Sequence, residues 1–222
     1  KIQVVIRDER YSGTPIGVRF TGELRPEQQE AAKALLPHDM GVLSATTAFG
    51  KTVIAAHMIA ARGVNALVLV HRRQLLDQWA AQLGSFLSLE KKLIGQIGGG
   101  KRKLTGVIDV AIIQSLCRKG VVDDCVGGYG HLVVDECHHI SAPSFEQVAK
   151  QSKARYVLGL SATVTRKDGH HPIIFMNCGP IRHRVDAKRQ AEARPFTHKV
   201  IVRSTDALLP AEFGLRERLS IQ

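Results

Sequence analysis

The sequence predicts an α/β fold built on a mostly parallel sheet, and three observations carry that reading. Short apolar runs of β type recur at residues 66–70, 108–112, 132–135 and 156–160. Helical patterns separate most of them, and strands alternating with helices mark βαβ units whose sheet is covered on both faces. Two polar motifs then fall directly after apolar runs: Gly50-Lys51-Thr52 after 41–43, and Asp135-Glu136 after 132–134. Ligands on such sheets bind at the C-terminal ends of strands, where both motifs fall.

The elements follow in order. Residues 1–9 alternate like a strand. In 51–62, Val53, Ile54, Met58 and Ile59 recur at helical spacing with alanines between them. In 72–86, Leu75, Leu76, Trp79, Leu83 and Phe86 stand three to four apart, the period of a half-buried helix. Ser141 followed by Pro143 signals a helix start, with Phe145 and Val148 facing the core. Residues 186–194 are charged and Ala-rich and read as a connecting helix or linker, 196–203 as a strand, and 207–222 as helical. Residues 1–185 are therefore expected to form one lobe with an N-terminal extension, 1–23. Residues 186–222 would be a linker and the start of a second part.

Composition narrows the function. The 222 residues are 44% apolar, enough to bury a core. No apolar run approaches the roughly 20 residues a helix needs to cross a bilayer, so no membrane partner is expected. The cysteines, Cys117, Cys125, Cys137 and Cys178, form no CxxC pair. That weighs against a disulfide framework and structural zinc, and for a reducing, cytoplasmic compartment. The neighbouring histidines His138-His139 and His170-His171 point different ways, which disfavours a metal cluster. The charged start at Lys1 is unlike a signal peptide and lacks Met, so the chain reads as a piece of a longer protein. Net charge is +11, from 31 Lys+Arg against 20 Asp+Glu. The excess favours a polyanionic partner such as nucleic acid, although a solvated basic surface gives the same count.

A loop that holds phosphates needs close backbone approach, available N–H groups and a helix N-terminus. Residues 45–52, Ala-Thr-Thr-Ala-Phe-Gly-Lys-Thr, suit that purpose. Gly50 gives the approach, Lys51 a cation for the β- and γ-phosphates, and Thr52 a hydroxyl for magnesium. Thr47, Ala48, Phe49 and Val53 are expected to line the same ATP site. Ala45 stands where the GxxxxGK[ST] pattern has its first glycine. Phe49, at the tip, either covers the nucleotide or packs beneath the loop. Asp135 would reach the magnesium ion directly or through water, and Glu136 would orient and deprotonate an attacking water. An Asp-Glu pair also caps strands in ordinary loops. Its occurrence 85 residues after Gly-Lys-Thr makes chance a poor explanation, and an ATP-driven machine is the expected outcome.

These residues resemble a family, the superfamily 2 helicases of DExH type, in their first RecA-like lobe. Leu24-Arg25-Pro26-Glu27-Gln28 resembles the Arg-Pro-x-Gln element, and residues 45–52 resemble motif I, which often starts with Ala. Residues 67–79, Leu-Val-Leu-Val-His-Arg-Arg-Gln-Leu-Leu-Asp-Gln-Trp, resemble motif Ia, and Ile113-Gln114-Ser115-Leu116 sits where motif Ic is expected. Asp135-Glu136-Cys137-His138 is motif II in its DECH form, and Leu158-Gly159-Leu160-Ser161-Ala162-Thr163 is similar to motif III. Gln78-Trp79, Arg166 and Asp168 point to the XPB-like and type III restriction-like branch. Departures are Ala48 for a usual glycine, Arg72 and Ile112 where threonines are frequent, and Val164 for a frequent proline.

The resemblance implies a RecA-like, phosphate-loop NTPase fold of three layers, with ATP and Mg2+ as cofactors. Arg25 and Gln28 would recognise adenine. Lys51, Asp135 and Glu136 would carry catalysis, with Thr52 and Asp135 on the metal. His138, Ser161 and Thr163 would couple hydrolysis to movement. A second RecA-like lobe of the same parent would supply arginine fingers, so this chain alone would bind ATP with little hydrolysis.

A translocase grips the phosphate backbone, because it must move over any sequence. Candidates are Arg72 and Arg73 after the run 67–70, Gly99 and Lys101 in the Gly-rich, cationic segment 98–103, and Gln114 and Ser115. The segment 98–103 reads equally as flexible phosphate-binding backbone or as a solvated hairpin tip. The XPB-like features favour DNA over RNA. Other readings are an RNA-directed DExH helicase, a non-catalytic nucleic-acid-binding module with a degenerate loop, and a small-molecule kinase. The DECH and Ser-Ala-Thr patterns weigh against the kinase.

Overall fold

A computed structural model describes residues 7–139, 143–162 and 171–185. The chain divides into two units, Lys1–Ala187 and Lys188–Gln222, and every described residue belongs to the first. The readings for residues 1–6, Ser141, Thr163, Val164, Arg166, Asp168, His170 and 186–222 lie outside the described residues.

Helix α1 (Pro26–Leu35) leads into β1 (Met40–Ser44), α2 (Lys51–Arg62) and β2 (Ala66–Val70). Then come α3 (Arg73–Phe86), β3 (Ile94–Gly98), β4 (Lys101–Lys103), β5 (Ile108–Ile112) and the single turn α4 (Ile113–Leu116). A short hairpin of β6 (Cys117–Arg118) and β7 (Val121–Val122) precedes β8 (His131–Val134) and α5 (Pro143–Gln151). The described lobe ends with β9 (Tyr156–Ser161), α6 (His171–Cys178) and β10 (Ile181–Arg184).

Eight strands form one sheet in the order β10-β1-β9-β8-β2-β5-β3-β4. Its pairings are parallel, except for antiparallel β3 and β4. The expected mostly parallel α/β sheet is therefore what forms. Alternate strand residues face opposite layers. Val68, Val70, Val110, Val133 and Leu158 pack with side chains of α1, α2 and α3. Leu67, Leu69, Ala111, Leu132 and Val134 pack with Phe145 and Val148 of α5 and Ile174 of α6. Both faces are covered, which explains why β2 is apolar at every position. Each such Val or Leu contributes about 1.5–3 kcal/mol by leaving water.

The N-terminal extension runs along the end of the sheet opposite the phosphate loop. Tyr11 donates its N–H to Lys153 O at 2.6 Å, Ile16 to Gly63 O at 2.8 Å and Thr21 to Phe86 O at 2.8 Å. Buried Asn65 pins this end. Its Oδ1 accepts from Thr14 N–H (3.0 Å) and Gly130 N–H (3.1 Å), and its Nδ2 donates to Gly106 O (3.2 Å) and Gly128 O (2.8 Å). Both polar ends of this amide are thus satisfied away from water. The C-terminal strand ends are left for the site. No described helix is long and apolar enough to cross a membrane.

Candidate nucleotide site and nucleic-acid edge

The loop after β1 turns sharply at Gly50, whose φ of +87° lies in the left-handed region. A β-carbon there would sit 2.7 Å from Gln28 Nε2, so both conformation and space select glycine. Phe49 is 0% exposed. It packs beneath the loop among core side chains, which decides between the two placements the sequence allowed. Its carbonyl accepts from Arg25 Nη2 and Gln28 Nε2, both at 2.7 Å. Gln28 is 1% exposed, and its Oε1 accepts the Arg25 N–H at 3.0 Å. Arg25 also pairs with Glu27 at 2.6 Å. In this structure the polar groups of Gln28 and part of the Arg25 guanidinium bond within the protein. They brace the phosphate loop from behind, because α1 packs directly under it. Thr47 and Ala48 lie in the short turn Thr47–Phe49, with Ala48 exposed. Thr52 and Val53 are half-buried in the first turn of α2.

The acidic pair leaves the end of β8. The Asp135 N–H continues the ladder by donating to Leu69 O at 3.0 Å. Its side chain turns to the layer of α3, where Trp79 Nε1 donates to Oδ2 at 2.7 Å. Oδ1 accepts the Glu136 N–H at 3.0 Å. Glu136 has φ +48°, a conformation that costs a non-glycine residue about 1 kcal/mol and recurs at functional turns. That turn carries Glu136 Oε1 back to within 3.1 Å of Lys51 Nζ. Lys51 is only 7% exposed and also donates to Ala45 O at 3.3 Å.

A third strand joins the pair. β9 lies between β1 and β8, and its last residue, Ser161, accepts the Ala45 N–H at its carbonyl at 2.8 Å. His138 Nδ1 stands 2.9 Å from Ser161 Oγ and 3.2 Å from Glu136 Oε2. Lys51, Glu136, His138 and Ser161 thus form one continuous polar chain across three strand ends. Thr163, the other expected coupling residue, lies outside the described residues.

Burial pushes the Asp135 carboxyl above the usual carboxylate range, and the neighbouring Glu136 charge adds to this. The Trp79 hydrogen bond and Lys51 act the other way. Among the described residues no cluster of three or more His, Cys, Asp or Glu could hold a metal by itself. Magnesium does not need one, since it commonly takes one or two carboxylates plus phosphates and water. Asp135 and the Thr52 hydroxyl fit that partial donor set.

The predicted nucleic-acid residues line the neighbouring strand ends β2, β5 and β3. Arg72 and Arg73 open α3 and are exposed. Gln114 is exposed and Ser115 half-buried in α4, directly after β5. Residues 98–100 are a tight turn, with φ of +124°, +58° and +85°, rather than a loose loop. A β-carbon on Gly99 would sit 2.9 Å from Arg73 Nε, so this glycine makes room for the arginine. Lys101 is already paired with Asp77 at 2.8 Å, and Arg102 with Asp123 at 2.6 Å. Exposed pairs of this kind are weak, so a phosphate can compete for the cation.

Trp79 is the site residue the sequence reading left in the core. Its apolar neighbours on α3 account for a buried ring, and the one available signal was an indole N–H that needs an acceptor once buried.

The family described as type III restriction enzyme, res subunit, matches residues 21–166. The chain belongs to this family, on the XPB-like branch of the superfamily 2 helicases. It is 30% identical over 200 residues to the DNA 3'-5' translocase XPB2 of Sulfurisphaera tokodaii, covering 89% of this chain and 44% of that one. It is 31% identical over 182 residues to the DNA 3'-5' helicase XPB of Mycobacterium tuberculosis, covering 76% and 32%. The chain therefore spans less than half the length of either relative. In fold it matches the Sulfolobus solfataricus SWI2/SNF2 ATPase core solved in complex with dsDNA, with a TM-score of 0.60 at 18% identity. That match covers 76% of this chain and 38% of the other. The sheet and its layers are those of a RecA-like helicase lobe.

Proposed function

We propose that the chain is the ATP-binding lobe of a DNA helicase or translocase that couples ATP hydrolysis to movement on nucleic acid, and that hydrolysis needs a second RecA-like lobe. The observation that carries this is the convergence of Lys51, Asp135 and Glu136. Lys51 and Glu136, 85 residues apart, meet at 3.1 Å, and Lys51 also acts electrostatically on Asp135.

Lys51 exchanges Glu136 for the β- and γ-phosphates when nucleotide binds, as a lysine at a helix N-terminus is placed to do. Glu136, released from the ammonium, becomes available to orient and deprotonate a water. Asp135 and Thr52 would hold magnesium, which would supply positive charge against the nucleotide when bound. His138 touches both Glu136 and Ser161, so a shift of the glutamate reaches β9 and the strand end that follows it. Arg72, Arg73, Gln114, Ser115, Gly99 and Lys101 would meet the nucleic-acid backbone along the adjacent edge. The names of both relatives and the duplex bound to the SWI2/SNF2 core support DNA as the partner.

Titration with a fluorescent ATP analogue and magnesium tests the nucleotide reading, and absence of binding would sink it. Anisotropy with matched DNA and RNA duplexes tests the partner. Preference for the RNA duplex would move the assignment to an RNA-directed helicase.

A further inference from the structure

We propose that Trp79 is a positioning residue for the metal-facing carboxylate, its indole N–H holding Asp135 in the orientation that receives the cation. The proposal rests on the nucleotide site above and assigns a role to a residue outside it.

Trp79 is 2% exposed, in the apolar stripe of α3 with Leu76 and Leu83. Packing alone would be served by any large apolar side chain. The indole brings an N–H that donates and cannot accept, and that donor meets Asp135 Oδ2 at 2.7 Å in a buried setting. The other oxygen, Oδ1, takes the Glu136 N–H at 3.0 Å. Two donors on separate elements, α3 and the turn after β8, therefore hold the two oxygens of one carboxylate and fix its plane. Each oxygen keeps a further lone pair for a cation or its water. With Asp135 only 8% exposed, bulk solvent cannot supply the same orientation. Partners that orient a metal ligand in this way commonly change metal affinity by about 10–100-fold when lost.

The bond also gives α3 a second role. The helix begins at Arg73, beside Arg72, on the predicted nucleic-acid edge. Trp79 lies six residues on, about 9 Å along the axis. The element that would meet the phosphate backbone thus also holds the acid that would meet the metal. If metal–nucleotide binding changes nucleic-acid affinity through α3, nucleic acid must change metal–nucleotide affinity by the same factor.

Trp79 is the only tryptophan in the chain, so its emission reports the surroundings of this one indole. The test compares the wild-type chain with Trp79→Phe, which keeps an aromatic ring and removes the N–H. Each is titrated with a fluorescent ATP analogue in magnesium and in chelator. The tightening that magnesium brings is expected to fall about tenfold or more in Trp79→Phe, with chelator affinity unchanged. A role confined to packing would move neither or both. In parallel, wild-type emission is followed as a non-hydrolysable ATP analogue is added, and it should change with magnesium and not in chelator. Magnesium dependence in Trp79→Phe equal to wild type overturns the proposal. If that variant does not fold, emission indifferent to magnesium–nucleotide overturns it instead. A wild-type chain that binds no nucleotide at all would bring down the proposed function first, and this inference with it.

Discussion

Lys51 Nζ lies 3.1 Å from Glu136 Oε1, so the cation proposed for phosphate already has an anion within the protein. On the proposed reading, nucleotide binding would be an exchange of partners rather than the filling of an open charge. The energy of the new contact is measured against the buried ion pair it replaces.

Lys51→Ala removes the ammonium and leaves Glu136 facing the incoming phosphates. Affinity for an ATP analogue should fall by about 2–3 kcal/mol, on the order of a hundredfold. Isothermal titration of the variant reads this directly, and an affinity equal to wild type would contradict the exchange.

Glu136→Gln frees Lys51 without opening a cavity, and the amide cannot accept the proton of an attacking water. Binding of the analogue should hold or tighten by up to about tenfold. Turnover in any form that hydrolyses ATP should drop by about 10²–10⁴. Parallel binding and phosphate-release assays separate the two effects, and weakened binding with normal turnover would reverse the roles assigned here.

Ser161→Ala removes the hydroxyl that stands 2.9 Å from His138 Nδ1. Nucleotide affinity should stay within about twofold, because Ser161 still supports the loop through its carbonyl. Stimulation of turnover by DNA, in any form that hydrolyses ATP, should fall. Stimulation as strong as wild type would remove Ser161 from the coupling path.

Nucleic-acid binding should weaken linearly in log–log plots against salt as counterions are released. Arg72→Ala and Arg73→Ala should each lower the slope by about one. Asp77→Asn releases Lys101 from its ion pair and should tighten binding at low salt. Anisotropy over a salt series measures all three, and slopes unchanged in both arginine variants would place the backbone contacts elsewhere.

His131 is fully buried, and burial, with Arg62 nearby, pushes its pKa down to about 3. The unfolded chain titrates near the usual histidine value of about 6.5. Between those values the unfolded state binds a proton the folded state does not, so stability falls with falling pH by up to about 1.4 kcal/mol per unit. Asp135 acts oppositely. Its raised pKa lets the folded state bind a proton first, which favours folding as pH drops. Melting temperatures from about pH 7 to pH 4.5 should fall more steeply in wild type than in His131→Leu. Parallel curves would show that His131 is not the group responsible.

Much of the scaffold was legible because its signals are local. The runs 66–70 and 108–112 and the helix 51–62 emerge with those same bounds, since a strand buried on both faces must be apolar throughout and a helix on the sheet needs a stripe. β3 was not legible. Its sequence, Ile94-Gly95-Gln96-Ile97-Gly98, holds two glycines, and Gly95 is there because a β-carbon would collide with the Asp109 carboxylate on the next strand. Such a reason exists only after pairing. β10, Ile181-Arg182-His183-Arg184, is a polar edge strand with no apolar pattern to read.

The site divides the same way. The meeting of Lys51 with Glu136 beside two strand ends was legible, because the proposed chemistry demands fixed residue types at such places. The bracing role of Gln28 and the hold of Trp79 on Asp135 were not, because each depends on which helix comes to lie against which loop.

Among the described residues, one flank of the sheet ends in β4, whose three residues, Lys101, Arg102 and Lys103, are all exposed. A terminal strand offers unpaired backbone groups to any passing strand, and cations along it are a known deterrent. A second copy approaching edge-on would bring another Lys-Arg-Lys row against this one. Like-charge repulsion thus guards the open flank against growth into a continuous intermolecular ribbon.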